Sequence, residues 1–353
     1  MKEGAYSWST QSFAAFDSTV VEIQTDEGIS GVGEICPLGP AYLPAFAEGA
    51  RVGMQVLAKG LIGQDPCNIG GINVLMDRLL KGHPYIKSAL DVACWDIYGK
   101  VTGQPVCNLL GGRVQDKVRL FKVVSRAEPE AMAEKLISYQ EQGFNQFQMK
   151  VGADPDEDIK RIRLVASELK SGNKLAADAN CGWHQHDAVR VVSAVSDMSL
   201  YIEQPCETYE ECRVVRDHSP HPMILDECMD SLQAVLRGHR ERAMDLINLK
   251  ISRMGGLTKS RIIRDVCISL GIVMTIEDTW GAEIGDAAIA HLAHSTPSDF
   301  HFQSSAFHEY TTRPIAGGGP VIADGFMAMS DAPGLGVTPD WDLLGAPIAT
   351  ITA

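Results

Sequence analysis

Short apolar runs, each closed by a charged residue, recur at near-constant spacing through the middle of the chain. FNQFQMKVG delivers Lys150, KLAADAN delivers Asp178 and LYIEQP delivers Glu203. PMILDE delivers Asp226, LINLKIS delivers Lys250, and IVMTIED delivers Glu277 and Asp278. The intervals from Lys150 through Asp178, Glu203, Asp226 and Lys250 to Asp278 are 28, 25, 23, 24 and 28 residues. Each interval is the length of one strand, one helix and two loops. The repeat is therefore a βα unit, with charge where each strand stops. Helical spacing is read at about 157–170, 186–196, 207–217, 231–239, 257–269 and 284–294. VRLFKVVS, from Val118, reads as an earlier strand followed by a helix at 129–142, and FHFQSS (300–305) as the last strand. That makes eight strands and seven helices. The repeats share little sequence, which points to a barrel rather than a solenoid.

The front of the chain is patterned differently. MKEGAYSWSTQSFAAF is polar and weakly periodic. DSTVVEIQTDEGISGVGEICPLG alternates around Asp26-Glu27-Gly28 and predicts a hairpin. GPAYLP (39–44) is a loop. Residues 46–61 carry Val52, Val56, Leu57 and Leu61 on one helical stripe, and residues 71–81 predict a second helix. A third, buried helix runs from Ile86 to Val101, with Ala89, Ala93 and Trp95 suited to close packing, and stops at Gly103 and Pro105. Strands followed by helices predict a separate α+β domain over 1–112, with the barrel over 113–314. After Pro314 the chain turns Gly- and Pro-rich, with GGGP at 317–320, so 315–353 is expected to run back and complete the first domain.

Composition narrows the function. A chain of 353 residues holds a barrel of ordinary size and roughly 100 residues more. The net charge of −14 provides no basic surplus to neutralise phosphate, which argues against a nucleic-acid partner. No apolar run approaches the roughly 20 residues of a membrane span, and no signal peptide opens the chain. Nine scattered cysteines without a C-x-x-C pair read as reduced thiols, so a cytoplasmic protein is expected.

In a parallel βα barrel the strand C-termini open on one face, where catalytic residues collect. Asp178, Glu203 and Asp226 place three hard oxygen donors there, a donor set suited to Mg2+. A single strand-end acid commonly caps the next helix; three on consecutive strands are better explained as metal ligands. Lys150 and Lys250, on the second and sixth strands, should face each other across the bound substrate. Near two cations and a metal, a lysine pKa is expected to fall and give a usable base. Two opposed bases permit racemisation or epimerisation; one acting as acid permits dehydration. Asn180 is placed to hold a metal-bound water or a neighbouring acid, and Glu227 to pair with Lys250 behind the ligands. Glu277 and Asp278 end the seventh strand, where an acid either binds a cationic substrate nitrogen or balances Lys250.

The SALDVACWDIYGK helix, the lysine on the second strand, and the DAN, IEQP, LDE and LKISRMGG strand ends in that order resemble the enolase superfamily. Within it they resemble the muconate lactonising enzyme and mandelate racemase group. The resemblance implies an α/β fold: a modified (β/α)7β TIM-type barrel with an N-terminal α+β capping domain. It also implies Mg2+ as cofactor, a homo-oligomer, and removal of the proton next to a carboxylate. That step creates an enediolate, and a divalent ion on the carboxylate lowers the barrier by several kcal/mol. Relatives usually carry Lys-x-Lys on the second strand; here Gln148 stands first, where the resemblance implies a residue that tunes Lys150. The chain also begins where relatives have already laid down a strand, so a capping sheet one strand short, or a truncated start, is expected. No histidine stands at the seventh strand, which disfavours the His-based acid-sugar dehydratases. FQSS replaces the Asp-x-Asp that dipeptide epimerases carry at the eighth.

TIEDTWG, CPLGPAYLPAFAEG and HFQSSAFHEY are most similar to enzymes acting on proline derivatives. These are cis-3-hydroxy-L-proline dehydratases and the 2-epimerases of proline and hydroxyproline betaines. The expected reaction is dehydration of cis-3-hydroxy-L-proline, with 2-epimerisation of proline as a side activity. The alternatives are betaine 2-epimerisation and racemisation of another amino acid or a dipeptide. A catalytically dead binding protein has no support in the sequence. On this reading Tyr42 belongs to a loop that closes over the mouth. Asp278 holds a substrate amine, and Trp280, Phe302, Phe307 and Tyr310 are the aromatic candidates for a quaternary nitrogen.

Overall fold

A computed structural model of the chain describes residues 1–2, 4–9 and 11–352. Two antiparallel hairpins open it. β1 (Tyr6–Trp8) pairs with β2 (Gln11–Phe13), and β3 (Thr19–Gln24) with β4 (Ser30–Ile35). The second is the hairpin expected from alternation. The first lies in the stretch that reads as patternless, because strands of three residues are too short to establish a period. Helices α1 (Ala47–Leu61), α2 (Ile69–Leu79) and α3 (Pro84–Thr102) follow, with a single turn α4 (Val106–Leu109).

The capping hairpin is fixed by how closely β4 approaches α3. A Cβ on Gly33 would lie 2.0 Å from Ala89 O, and one on Gly31 2.2 Å from Ala93 O. Only glycine on the strand, facing alanine on the helix, allows that distance. α3 begins on Pro84 in its first turn and ends on Gly103 at φ +65°, whose N–H reaches back to Gly99 O. Asp96 on α3 ties three segments together. Oδ2 accepts from Val32 N at 3.0 Å and Lys100 Nζ at 2.7 Å, and Oδ1 accepts from Leu335 N at 2.8 Å. The C-terminal segment thus packs on the first helices.

The run VRLFKVVS splits. β5 (Val118–Arg119) pairs with Phe326–Ala328, and β6 (Lys122–Val124) starts an eight-stranded sheet. That sheet continues through β7 (Gln146–Lys150), β8 (Lys174–Asp178), β9 (Tyr201–Glu203), β10 (Met223–Leu225), β11 (Leu246–Lys250), β12 (Val273–Glu277) and β13 (His301–Ser304). Every neighbouring pair is parallel, in sequence order. Phe121 N donates to Ser304 O at 3.1 Å, bringing the first and last edges together. The helices between strands are α5 (Pro129–Glu141), α6 (Pro155–Ser167), α7 (Gln185–Ala194), α8 (Tyr209–His218) and α9 (Leu232–Glu241). They continue with the short α10 (Ile251–Met254), α11 (Leu257–Leu270) and α12 (Glu283–His294). α8 carries a complete capping box between Thr208 and Glu211.

The first hairpin lies across the C-terminal end of the barrel. Ser9 Oγ donates to Gly152 O at 3.0 Å, Arg126 N to Ser7 O at 3.1 Å, and Lys2 N to Tyr310 O at 2.9 Å. Among the described residues no helix is long and apolar enough to cross a membrane.

Candidate active site and metal centre

Side chains two apart on a strand share a face. Gln148 and Lys150 therefore point to the same side of β7, and Asn248 and Lys250 to the same side of β11. These are the second and sixth of eight strands, so the two pairs face each other across the barrel. Between them stands Glu203 at the end of β9. Its Oε1 accepts from Gln148 Nε2 at 2.8 Å and from Asn248 Nδ2 at 2.7 Å. Its Oε2 is buried without a partner.

Each lysine meets its own aspartate. Lys150 Nζ lies 2.5 Å from Asp178 Oδ2, and Lys250 Nζ 2.8 Å from Asp226 Oδ2. Lys250 also donates to Tyr42 Oη at 2.7 Å and lies 3.8 Å from Glu277 Oε1. Arg253, in the turn after β11, donates to Asp226 Oδ1 at 2.7 Å and to Asn248 O at 3.1 Å. Behind Asp178 and Glu203 the backbone takes left-handed conformations at Asn180 (φ 42°), Cys181 (φ 66°) and Gln204 (φ 33°). Non-glycine residues held there cost about 1–3 kcal/mol each and cluster at functional sites.

Charge is concentrated and buried. Burial alone would draw the Lys150 ammonium pKa down, but Asp178 and Glu203 outweigh it and hold Lys150 well above the ordinary amine range. Lys250 is raised too: Asp226 and Glu277 overcome its burial. The chain's own groups set both shifts, because each lysine faces carboxylates more closely than it faces another cation. Burial opposes ionisation of Asp226, yet Lys250 and Arg253 hold it below the usual carboxylate range. Glu203 is pushed well up, first by burial and then by Asp178 and Asp226. Burial also lifts Glu277 to about 7, Asp278 to about 6 and Glu227 to about 8.

The acids at 178, 203 and 226 meet the requirements of a hard dication in three ways. All are carboxylates on consecutive strand ends. Their mutual repulsion raises Glu203. A buried Glu203 oxygen has no hydrogen-bond donor although both neighbouring amides are already used on its other oxygen. Among the described residues no group of three or more acidic, His or Cys side chains stands ready-made around one point. The ammonium and guanidinium groups lie among the carboxylates instead.

A small cleft opens between the lysines. Tyr42, Gln148, Asn180, Glu277 and Asp278 border it, together with Tyr6, Trp8 and Phe307. Asp278 borders the cavity with its oxygens already accepting from Ser252 N (3.1 Å), Ser252 Oγ (2.7 Å) and Thr279 N (2.7 Å). Several sequence expectations need correction. Glu227 pairs with Asn180 Nδ2 at 2.9 Å rather than with Lys250, whose additional acid is Glu277. Trp280 stands behind the wall, packed on Phe16 (4.3 Å), Phe307 (4.4 Å) and Tyr6 (5.0 Å). Phe302 lies at the opposite end of the barrel, 4.9 Å from Tyr201.

Sequence reasoning passed over Tyr6, Trp8, Asn248 and Arg253. The signal for Asn248 was present: N-x-K on β11 repeats the spacing of Q-x-K on β7. Arg253 lies inside the LKISRMGG run but follows the strand end. For Tyr6 and Trp8 only their i, i+2 spacing could have served.

Comparison with known proteins agrees with this geometry. Residues 131–343 match the family described as "Enolase C-terminal domain-like". Residues 5–111 match "Mandelate racemase / muconate lactonizing enzyme, N-terminal domain". The cis-3-hydroxy-L-proline dehydratase of Roseibium aggregatum is 55% identical over 350 residues, covering 99% of this chain and 95% of that protein. The crystal structure of a mandelate racemase/muconate lactonizing enzyme from Roseovarius nubinhibens superimposes with a TM-score of 0.95 at 42% identity. It covers 98% of this chain and 94% of the other. A second enolase-superfamily member from Roseovarius nubinhibens, complexed with magnesium, gives a TM-score of 0.93 at 37% identity, with 99% and 97% coverage.

Proposed function

The chain belongs to the mandelate racemase/muconate lactonizing enzyme group of the enolase superfamily, and on that premise we propose that it dehydrates cis-3-hydroxy-L-proline with the aid of Mg2+. The observation that carries the reading is the opposition of Lys150 and Lys250 across a small cavity. In the cis isomer the carboxyl and the 3-hydroxyl share one ring face, so the α-proton lies on the other. Elimination then needs a base on one side and an acid on the opposite side, which is what two facing lysines provide.

One lysine takes the proton from C2 as the amine, a form that would become available once a bound Mg2+ offsets the carboxylates that hold both lysines as ammonium in the structure. The C2–C3 double bond forms as the C3–O bond breaks, and the departing oxygen takes a proton from the ammonium of the other lysine and leaves as water. The product is a pyrroline-2-carboxylate. Asp178, Glu203 and Asp226 would hold the Mg2+, with Gln148 and Asn248 fixing Glu203 so that its second oxygen stays available. What a bound Mg2+ supplies is charge: it offsets the negative charge that grows on the substrate carboxylate as the α-proton leaves. The hydroxyl is lost only from substrates that carry one; proline in the same site would have its proton removed from one face and returned on the other, giving 2-epimerisation.

Domain roles follow: the barrel of about 113–314 carries the chemistry, and the first 112 residues with the C-terminal segment form the cap. Proton NMR of cis-3-hydroxy-L-proline with the enzyme and Mg2+ tests the proposal. Conversion to a pyrroline product, abolished by a chelator, supports it. An unchanged hydroxyproline alongside an epimerised betaine sinks it in favour of the betaine epimerase.

A further inference from the structure

The capping domain delivers two tyrosines into the site, and they do not go to the same place. Tyr42, in the loop after β4, accepts from Lys250 Nζ at 2.7 Å and donates to Asp226 Oδ2 at 3.2 Å. Tyr6, on β1, lies on the other side: Lys150 Nζ is 5.9 Å from its ring centroid. Burial raises the Tyr6 phenol pKa, and Lys150 opposes that rise both by its charge and as a hydrogen-bond partner. Both tyrosines border the cavity. Trp8 touches both, 5.4 Å from Tyr6 and edge-on at 6.4 Å from Tyr42, and is itself buried.

A lysine has a flexible four-carbon stem and three donors, and one carboxylate does not fix its direction. A second anchor, held by a packed aromatic ring, does. We propose that each lysine has its own positioning tyrosine from the cap, Tyr6 for Lys150 and Tyr42 for Lys250, wedged apart by Trp8, so that a docked cap aims the acid and the base separately. The proposal rests on the reading that these two lysines are the acid–base pair for cis-3-hydroxy-L-proline.

Because the two sets stand on opposite sides, removing one hydroxyl should disturb one half of the reaction. Tyr6→Phe and Tyr42→Phe keep the rings and their packing, and a melting curve on each confirms the fold. The measurement is the deuterium isotope effect on kcat/KM with substrate deuterated at C2, together with solvent deuterium appearing at C2 of unreacted substrate. Both variants should lose on the order of tenfold to a hundredfold in kcat/KM. The variant beside the base slows proton removal, so its isotope effect rises above wild type. The variant beside the acid slows C–O cleavage, so its isotope effect falls and deuterium washes into the substrate.

Opposite shifts in the two variants support the pairing. Shifts in the same direction, or none, overturn it while leaving the lysine assignment intact. Lys150→Ala and Lys250→Ala separate the two failures: if both retain activity, the acid–base reading itself is wrong. A wild type that leaves cis-3-hydroxy-L-proline unchanged with Mg2+ overturns the reaction and the pairing with it.

Discussion

Gln148 donates to Glu203 Oε1 at 2.8 Å, from the same face of its strand as Lys150. An amide there adds no charge, and it fixes the direction of a carboxylate whose other oxygen is unpartnered. Partners of this kind are worth about 10–100-fold in metal affinity. Gln148→Ala should therefore weaken Mg2+ binding on that scale, with a smaller effect on kcat at saturating Mg2+. Activity titrated against Mg2+ measures it. An unchanged half-saturation point would mean that Asn248, 2.7 Å away, suffices alone.

Lys150→Ala and Lys250→Ala each remove one side of the elimination. General acid or base groups contribute about 10²–10⁴-fold, so each variant should lose at least a hundredfold in kcat for pyrroline formation. Both should still bind Mg2+, because neither lysine is a ligand. A variant that retains wild-type turnover would show its lysine to be a charge partner of Asp178 or Asp226 and nothing more.

Glu34, at the end of the capping hairpin, accepts from Ala282 N and Gly285 N at 2.9 Å, at the start of α12, and from Ser18 Oγ at 2.7 Å. Burial raises its pKa to about 7, with Asp286 adding to the rise. In the unfolded chain the carboxyl titrates near the usual glutamate value of about 4.3. Between those values the folded protein holds a proton that the unfolded chain has released. The associated stability is fully present below the unfolded pKa and is lost as pH rises through about 7. The loss is of order 3 kcal/mol. Glu34→Gln has no such titration. Urea unfolding of both proteins at pH 5 and pH 8 should show wild type losing ground to the variant at the higher pH; a constant gap would refute it.

Phe302 and Phe307 separate an aromatic of the barrel floor from one of the site. Phe307→Ala opens the cavity wall and should raise KM for the substrate several-fold. Phe302→Leu, at the far end against Tyr201, should leave kcat/KM within about twofold, with the cost confined to stability, about 1 kcal/mol. Steady-state kinetics and a melting curve on the two variants read this directly.

The barrel strands and their charged ends were legible because alternation places every second side chain on one face and the intervals leave room for one helix each. Faces fail where register slips: pairing between β12 and β13 shifts at Met274 and Thr275, and Phe302 lies beside that irregularity. Spacing along the chain locates charges but not distances. The strand-end pattern puts Lys150 at the barrel mouth, and only the fold shows Asp178 as its charged partner, at 2.5 Å. Tyr6 and Trp8 escaped because their importance comes from docking, which no local pattern encodes.

The mouth of the site is closed by the two ends of the working sequence: Lys2 N meets Tyr310 O, and Tyr6 lies against Trp280. Contacts of such sequence separation form late, since the loop they close is nearly the whole chain. The barrel can gain its helices and most of its parallel pairing before the first hairpin settles. In a refolding experiment, recovered activity should therefore trail recovered helical signal, and catalysis becomes the reporter of the last step of folding.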